Sequence, residues 1–125
     1  GDVYKRQVGY GNVGKNIANI SKAYGMNVAV FSNSLDDDEA KKSNVAKMSF
    51  EELIKEADIL TFHNKLSEKS KYMINSDNLK SMKKSAIIIN CARGGIVNEE
   101  AIKNSLITEA IAGYGCDVYA EETQK

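Results

Sequence analysis

The sequence of 125 residues predicts a single α/β domain built on a doubly wound parallel sheet. Three observations carry that prediction. Short apolar segments alternate with segments of helical spacing, an order that requires right-handed crossovers between parallel strands. Ile59-Leu60 and Ile87-Ile88-Ile89 run continuously instead of alternating with polar residues, as strands covered on both faces do. No hairpin turn signal joins any two of the strands.

Taken in order, the first strand is a weakly patterned segment ending at Val8, and the others cover 27–31, 58–62, 86–90 and 111–116. The first helix starts in the turn between Gly11 and Gly14. Val13, Ile17, Ile20 and Tyr24 then recur at spacings of 4, 3 and 4, which predicts the stripe that packs on the sheet. Gly25 ends that helix as a C-terminal cap. The polar run 32–44, with three adjacent aspartates at 36–38, reads as a solvated loop or frayed helix start. Ser49 followed by Glu52 is a capping box opening a short helix through Phe50, Leu53 and Ile54. A weaker helix is expected over 76–82. Asn98 caps the next, with Glu99 and Glu100 where the helix dipole favours negative charge and Ile102 and Leu106 facing inward.

Composition excludes several classes. With 42% hydrophobic and 27% charged residues, the chain is an ordinary globular domain and neither disordered, collagenous nor coiled-coil. Seventeen basic and seventeen acidic residues leave no net charge, so no basic field points to nucleic acid or anionic lipid. No apolar run approaches the roughly 20 residues that span a bilayer, and no signal segment opens the chain; the expected location is the cytoplasm. Cys91 and Cys116 lie apart without a C-x-x-C pair, which suggests neither a metal site nor a disulfide framework. Both are expected as reduced, half-buried strand-end residues. Residues 1–7, Gly-Asp-Val-Tyr-Lys-Arg-Gln, read as a non-native, adapter-like leader, with the native domain at 8–125 and incomplete at both ends.

The chemistry begins at Gly9-Tyr10-Gly11-Asn12-Val13-Gly14, a G-x-G-x-x-G turn between a strand and a helix. Gly9 makes the tight turn, Gly11 lets backbone amides reach a pyrophosphate, and Gly14 lets the helix pack close to the sheet. Amides around Asn12 and Val13, at the positive end of the helix dipole, hold the phosphates. In a β-α-β unit this predicts dinucleotide binding in a Rossmann-type sheet; alone, the motif is equally a glycine-rich turn that binds nothing. An acid should end the second strand and accept the ribose hydroxyls of NAD. Here Ser32 stands there, and no arginine is near to take the extra phosphate of NADP. NAD and NADP both stay open, with a shifted role for Asp36 as one possibility.

Three further stretches, Ala57–Ser67 (ADILTFHNKLS), Met82–Glu99 (MKKSAIIINCARGGIVNE) and Ile111–Glu122 (IAGYGCDVYAEE), stand in a fixed order and spacing. With the glycine turn they give the chain a strong resemblance to the D-isomer-specific 2-hydroxyacid dehydrogenases, over residues 8–122. The resemblance implies an oxidoreductase passing a hydride between NAD or NADP and a small 2-hydroxy or 2-oxo acid, homodimeric when full length. It makes Arg93 the substrate-binding arginine, whose guanidinium would grip a carboxylate and polarise the 2-oxo group. Glu122 becomes the acid that pairs with a catalytic histidine and raises its pKa. Asp117 is implied at the nicotinamide end of the cofactor, and His63, Cys91 and Ala92 beside it. Each has a plainer reading: a solvated loop arginine, a surface glutamate, a strand-end aspartate bonding a backbone amide.

His63 is the sole histidine and falls outside the catalytic position that the resemblance implies, which belongs a strand and a loop after Glu122. Thr123 stands where the family has a proline. The competing function is a dinucleotide-sensing module of the corepressor kind, without catalysis; a histidine downstream would favour the enzyme.

Overall fold

Val28 and Val30 alternate with Ala29 along one extended segment, and in a strand such neighbours point to opposite faces. Both faces must then be covered. The computed structural model, which describes residues 2–116, covers them with helices. Six strands, β1 (Tyr4–Val8), β2 (Asn27–Phe31), β3 (Ala46–Lys47), β4 (Ile59–Phe62), β5 (Ile87–Asn90) and β6 (Gly113–Cys116), form one sheet. All pair in parallel, in the order β3-β2-β1-β4-β5-β6. Helices α1 (Asn12–Ala23), α2 (Asp37–Lys42), α3 (Phe50–Glu56), α4 (Ser76–Leu79) and α5 (Glu99–Ile107) complete the chain order.

Two apolar cores result. Under α1 and α2, Ala18 and Ala40 close on Val28, Val30 and Leu35. On the other face α3, α4 and α5 bring Leu53, Leu79 and Ile102 against Leu60, Phe62 and Ile88. Side-chain caps start the helices as the sequence predicts: the Ser49 hydroxyl accepts the Glu52 amide at 3.3 Å, and Asn98 Oδ1 accepts the Ala101 amide at 3.2 Å. Gly25, at φ +83°, follows the end of α1.

Several expectations are corrected. The polar run 32–44 contains α2, with Asp36 as its N-cap, and the short edge strand β3 follows it. Val13, Ile20 and Tyr24 do not pack on the sheet; they are 63%, 54% and 80% exposed. The face of α1 that meets the sheet is Gly14, Ala18 and Ser21, small residues that let the helix lie close. Leu106 is exposed as well, while Ile102 is buried. Cys91 is exposed instead of half-buried, while Cys116 is half-buried, as its strand-end position predicts.

The centre of the sheet is polar, since Lys5, Arg6 and Gln7 are all buried in β1. Arg6 is paired: its Nη2 lies 2.8 Å from Glu56 Oε1, and its Nη1 donates to the Asn27 carbonyl at 2.8 Å. Lys5 has the amide oxygen of Gln7 as acceptor at 2.6 Å, and burial pushes its ammonium down to about 8, against the opposing pull of Cys91.

Candidate dinucleotide site

Parallel strands present their carboxyl ends along one rim. β1 lies between β2 and β4, so successive connections leave it in opposite directions and a crevice opens where ligands of such sheets bind. A cleft of about 910 Å3 occupies that place, lined by residues 8–11, 31–34 and 63–65 and by the loop that follows β4.

The glycine turn forms its floor. Gly9 has φ +101°, a conformation that side chains disfavour, and its amide donates to the Phe31 carbonyl at 2.9 Å. Gln7 Nε2 ties the turn together by donating to the carbonyls of Gly9, at 2.9 Å, and Gly14, at 3.0 Å. Gly11 is the N-cap of α1 and offers no side-chain bond to the helix start. The first amides of α1, at Asn12 and Val13, therefore lack helical acceptors and sit at the positive end of the helix dipole. A β-carbon at Gly11 would meet no atom beyond its chain neighbours within 4 Å; it would stand in the open space of the cleft that Gly11 lines.

Ser32, just past the end of β2, lines one wall of the cleft. Its hydroxyl lies 3.1 Å from that of Ser34 and accepts the Ser34 amide at 3.3 Å. Asp36 accepts the Glu39 amide at 2.8 Å, so its carboxylate caps α2. His63 faces the glycine turn: its amide donates to the Val8 carbonyl at 2.8 Å, and its Nε2 lies 2.9 Å from Thr61 Oγ1. Burial, reinforced by the charge of Lys5, lowers its pKa to about 4, so the ring is neutral at pH 7. Two buried polar atoms of cleft residues, His63 Nδ1 and Asn64 Oδ1, have no hydrogen-bond partner. A partner from outside the protein, a polar ligand or water, is what such atoms require.

Cys91, Ala92 and Arg93 lie just past β5 and outside the lining of this cleft. Asn90 shapes their turn, accepting the Ala92 amide at 3.0 Å and donating to the Arg93 carbonyl at 2.8 Å. Arg93 is exposed. The turn is joined to the cleft's outer loop, because Tyr72 donates to the Gly95 carbonyl at 2.9 Å and Leu66 packs on Gly95. Asp117 and Glu122 fall outside the described residues.

The family model of the D-isomer specific 2-hydroxyacid dehydrogenase NAD binding domain matches residues 7–125. The chain belongs to this family. A D-3-phosphoglycerate dehydrogenase of Bacillus subtilis is 40% identical over 115 residues, covering 92% of this chain and 22% of the relative. A glyoxylate reductase of Thermococcus kodakarensis is 36% identical over 124 residues, 97% of this chain and 37% of the relative. Among solved structures, the NAD-complexed D-isomer specific 2-hydroxyacid dehydrogenase of Lactobacillus delbrueckii ssp. bulgaricus superposes with a TM-score of 0.90 at 34% identity. It covers 97% of this chain and 37% of that one. The chain thus spans well under half the length of these relatives.

As an NAD-binding domain of the 2-hydroxyacid dehydrogenases, the chain has a cleft that suits its cofactor. The space above Gly11 and the two orphaned polar atoms are independent signs of fit. Sequence reasoning missed Asn33, Asn64 and the loop residues Tyr72 and Met73 as lining. Asn33 and Asn64 could have been found from the rule that residues just past parallel strands face the crevice. Tyr72 has no such signal, because a loop brings it there.

Proposed function

We propose that the chain is the cofactor-holding half of an oxidoreductase acting on a small D-2-hydroxy or 2-oxo acid. The observation that carries this is the unfilled start of α1 opening, through Gly9, Gly11 and Gly14, into the cleft at the sheet's switch point. Gly11, Asn12 and Val13 would hold the pyrophosphate and Ser32 the adenosine ribose. His63, Cys91, Ala92 and Asp117 would lie along the nicotinamide side, and neutral His63 would offer a hydrogen bond without adding charge. Bound NAD supplies the hydride acceptor or donor. Arg93, on a turn held by Asn90, would take the substrate carboxylate, and Glu122 would pair with an acid-base histidine of the whole enzyme. The relatives named above are dehydrogenases and reductases, which supports this reading over a sensing module. The exposed stripe Val13, Ile20 and Tyr24 supports a homodimer for the full-length protein, and sedimentation of that protein would test it.

The binding step is tested by titrating the chain with NADH and following nicotinamide fluorescence. Saturable binding is expected, lost in Gly11→Val because its side chain would occupy the path of the pyrophosphate. Undiminished binding by that variant would refute the assignment.

A further inference from the structure

The wall that Ser32 occupies opens outward into a second, smaller pocket of about 410 Å3. It is lined by Phe31, Ser32 and Asn33, which also line the main cleft, and by Asp37, Lys47 and Met48. Strand β3 creates it. Lys47 pairs in register with Val30, and Met48 donates to the Val30 carbonyl at 2.9 Å, so β3 runs alongside the end of β2 and carries a lysine to the pocket. At the position where an acid would bond the ribose hydroxyls and repel a 2′-phosphate, the chain offers a hydroxyl and an amide.

We propose that this side pocket accepts the 2′-phosphate of NADP(H), with Lys47 as its cation and Ser32 and Asn33 as hydrogen-bond donors, so that the domain takes both nicotinamide dinucleotides. The inference rests on reading the main cleft as the dinucleotide site. Asp37 is the carboxylate that lines this pocket. Its Oδ1 lies 3.8 Å from Lys47 Nζ with the aspartate side chain 85% exposed, a long, solvated pair that a doubly charged phosphate outcompetes. Asp36 does not line this pocket, and its carboxylate accepts the Glu39 amide as the cap of α2.

Fluorescence titration of the chain with NADH and NADPH tests this, together with Lys47→Gln and Asp37→Asn, both at exposed side chains. NADPH is expected to bind within about tenfold of NADH. Lys47→Gln should weaken NADPH by roughly fivefold or more and leave NADH unchanged, as loss of one charge-assisted contact does. Asp37→Asn should tighten NADPH alone. A preference for NADH of about a hundredfold, or a Lys47→Gln effect that is absent or equal for both nucleotides, overturns the proposal. Failure to bind either nucleotide overturns the reading of the main cleft beneath it, which separates the two failures.

Discussion

At Gly14 an added β-carbon would sit 2.7 Å from the Gly9 carbonyl oxygen, and at Gly9 it would sit 2.9 Å from the backbone of His63. At Gly11 the same atom would touch nothing. The three glycines of one motif therefore answer to different constraints, two to the fold and one to the ligand. Gly9→Ala and Gly14→Ala should each cost roughly 1 to 3 kcal/mol of stability, through a strained φ or a backbone clash. Gly11→Val should cost no more than about 1 kcal/mol, the range for a poor N-cap. Denaturant unfolding of the three variants would separate them, and an equal loss in all three would contradict the geometry. The sequence alone could assign these tasks only by motif; the distances supply the reasons.

His63 also has a consequence for pH. Burial first, and the charge of Lys5 second, hold its pKa near 4, below the ordinary 6.5. Between those values the unfolded chain binds a proton that the folded chain refuses, so stability falls as pH drops through that window and is unaffected by this group above it. Unfolding midpoints measured from pH 7 to 4 should decline, and His63→Gln should flatten the decline.

Among the elements, the strands were legible where apolar residues run together, and five of the six can be read from the sequence. The missing one, β3, has two residues, both exposed, so it carries no hydrophobic signal. Helix α2 hides for a similar reason, since it buries Ala40 alone. The error at α1 has a different cause. Close approach to the sheet, which Gly14 permits, leaves room only for small residues, so the buried face is the less hydrophobic one and the apolar stripe looks outward. Arg93 shows the limit at the site, since its position depends on the Asn90 turn and the loop beyond β4, which no local pattern encodes. Where a cap is present the local signal is dependable. Asn98→Ala removes the acceptor of the Ala101 amide and should cost about 1 kcal/mol, visible as a lowered Tm; an unchanged Tm would mean that packing of Ile102 alone holds α5.

For the molecule as a whole, binding and turnover should separate. The chain spans 22% to 37% of the relatives compared above, and its single histidine is the neutral His63 beside the glycine turn. A positioned proton-transfer group is typically worth about 100- to 10,000-fold in rate, and a 2-oxo acid also needs a closed cleft to be held against the nicotinamide. The chain given NADH with glyoxylate, hydroxypyruvate or pyruvate should leave the nicotinamide absorbance flat. A steady fall that disappears in Arg93→Ala would contradict this.

The place of β1 in the sheet bears on how the chain is made. First in chain order of the six described strands, it finally lies between β2, complete at residue 31, and β4, complete at residue 62. At roughly 5 to 20 residues per second, those 31 residues take about 2 to 6 s to emerge. For that interval one flank of β1 is an open edge, the kind of surface on which nascent chains join one another. Lys5 and Arg6 lie along that strand, and charges on an exposed edge disfavour such pairing.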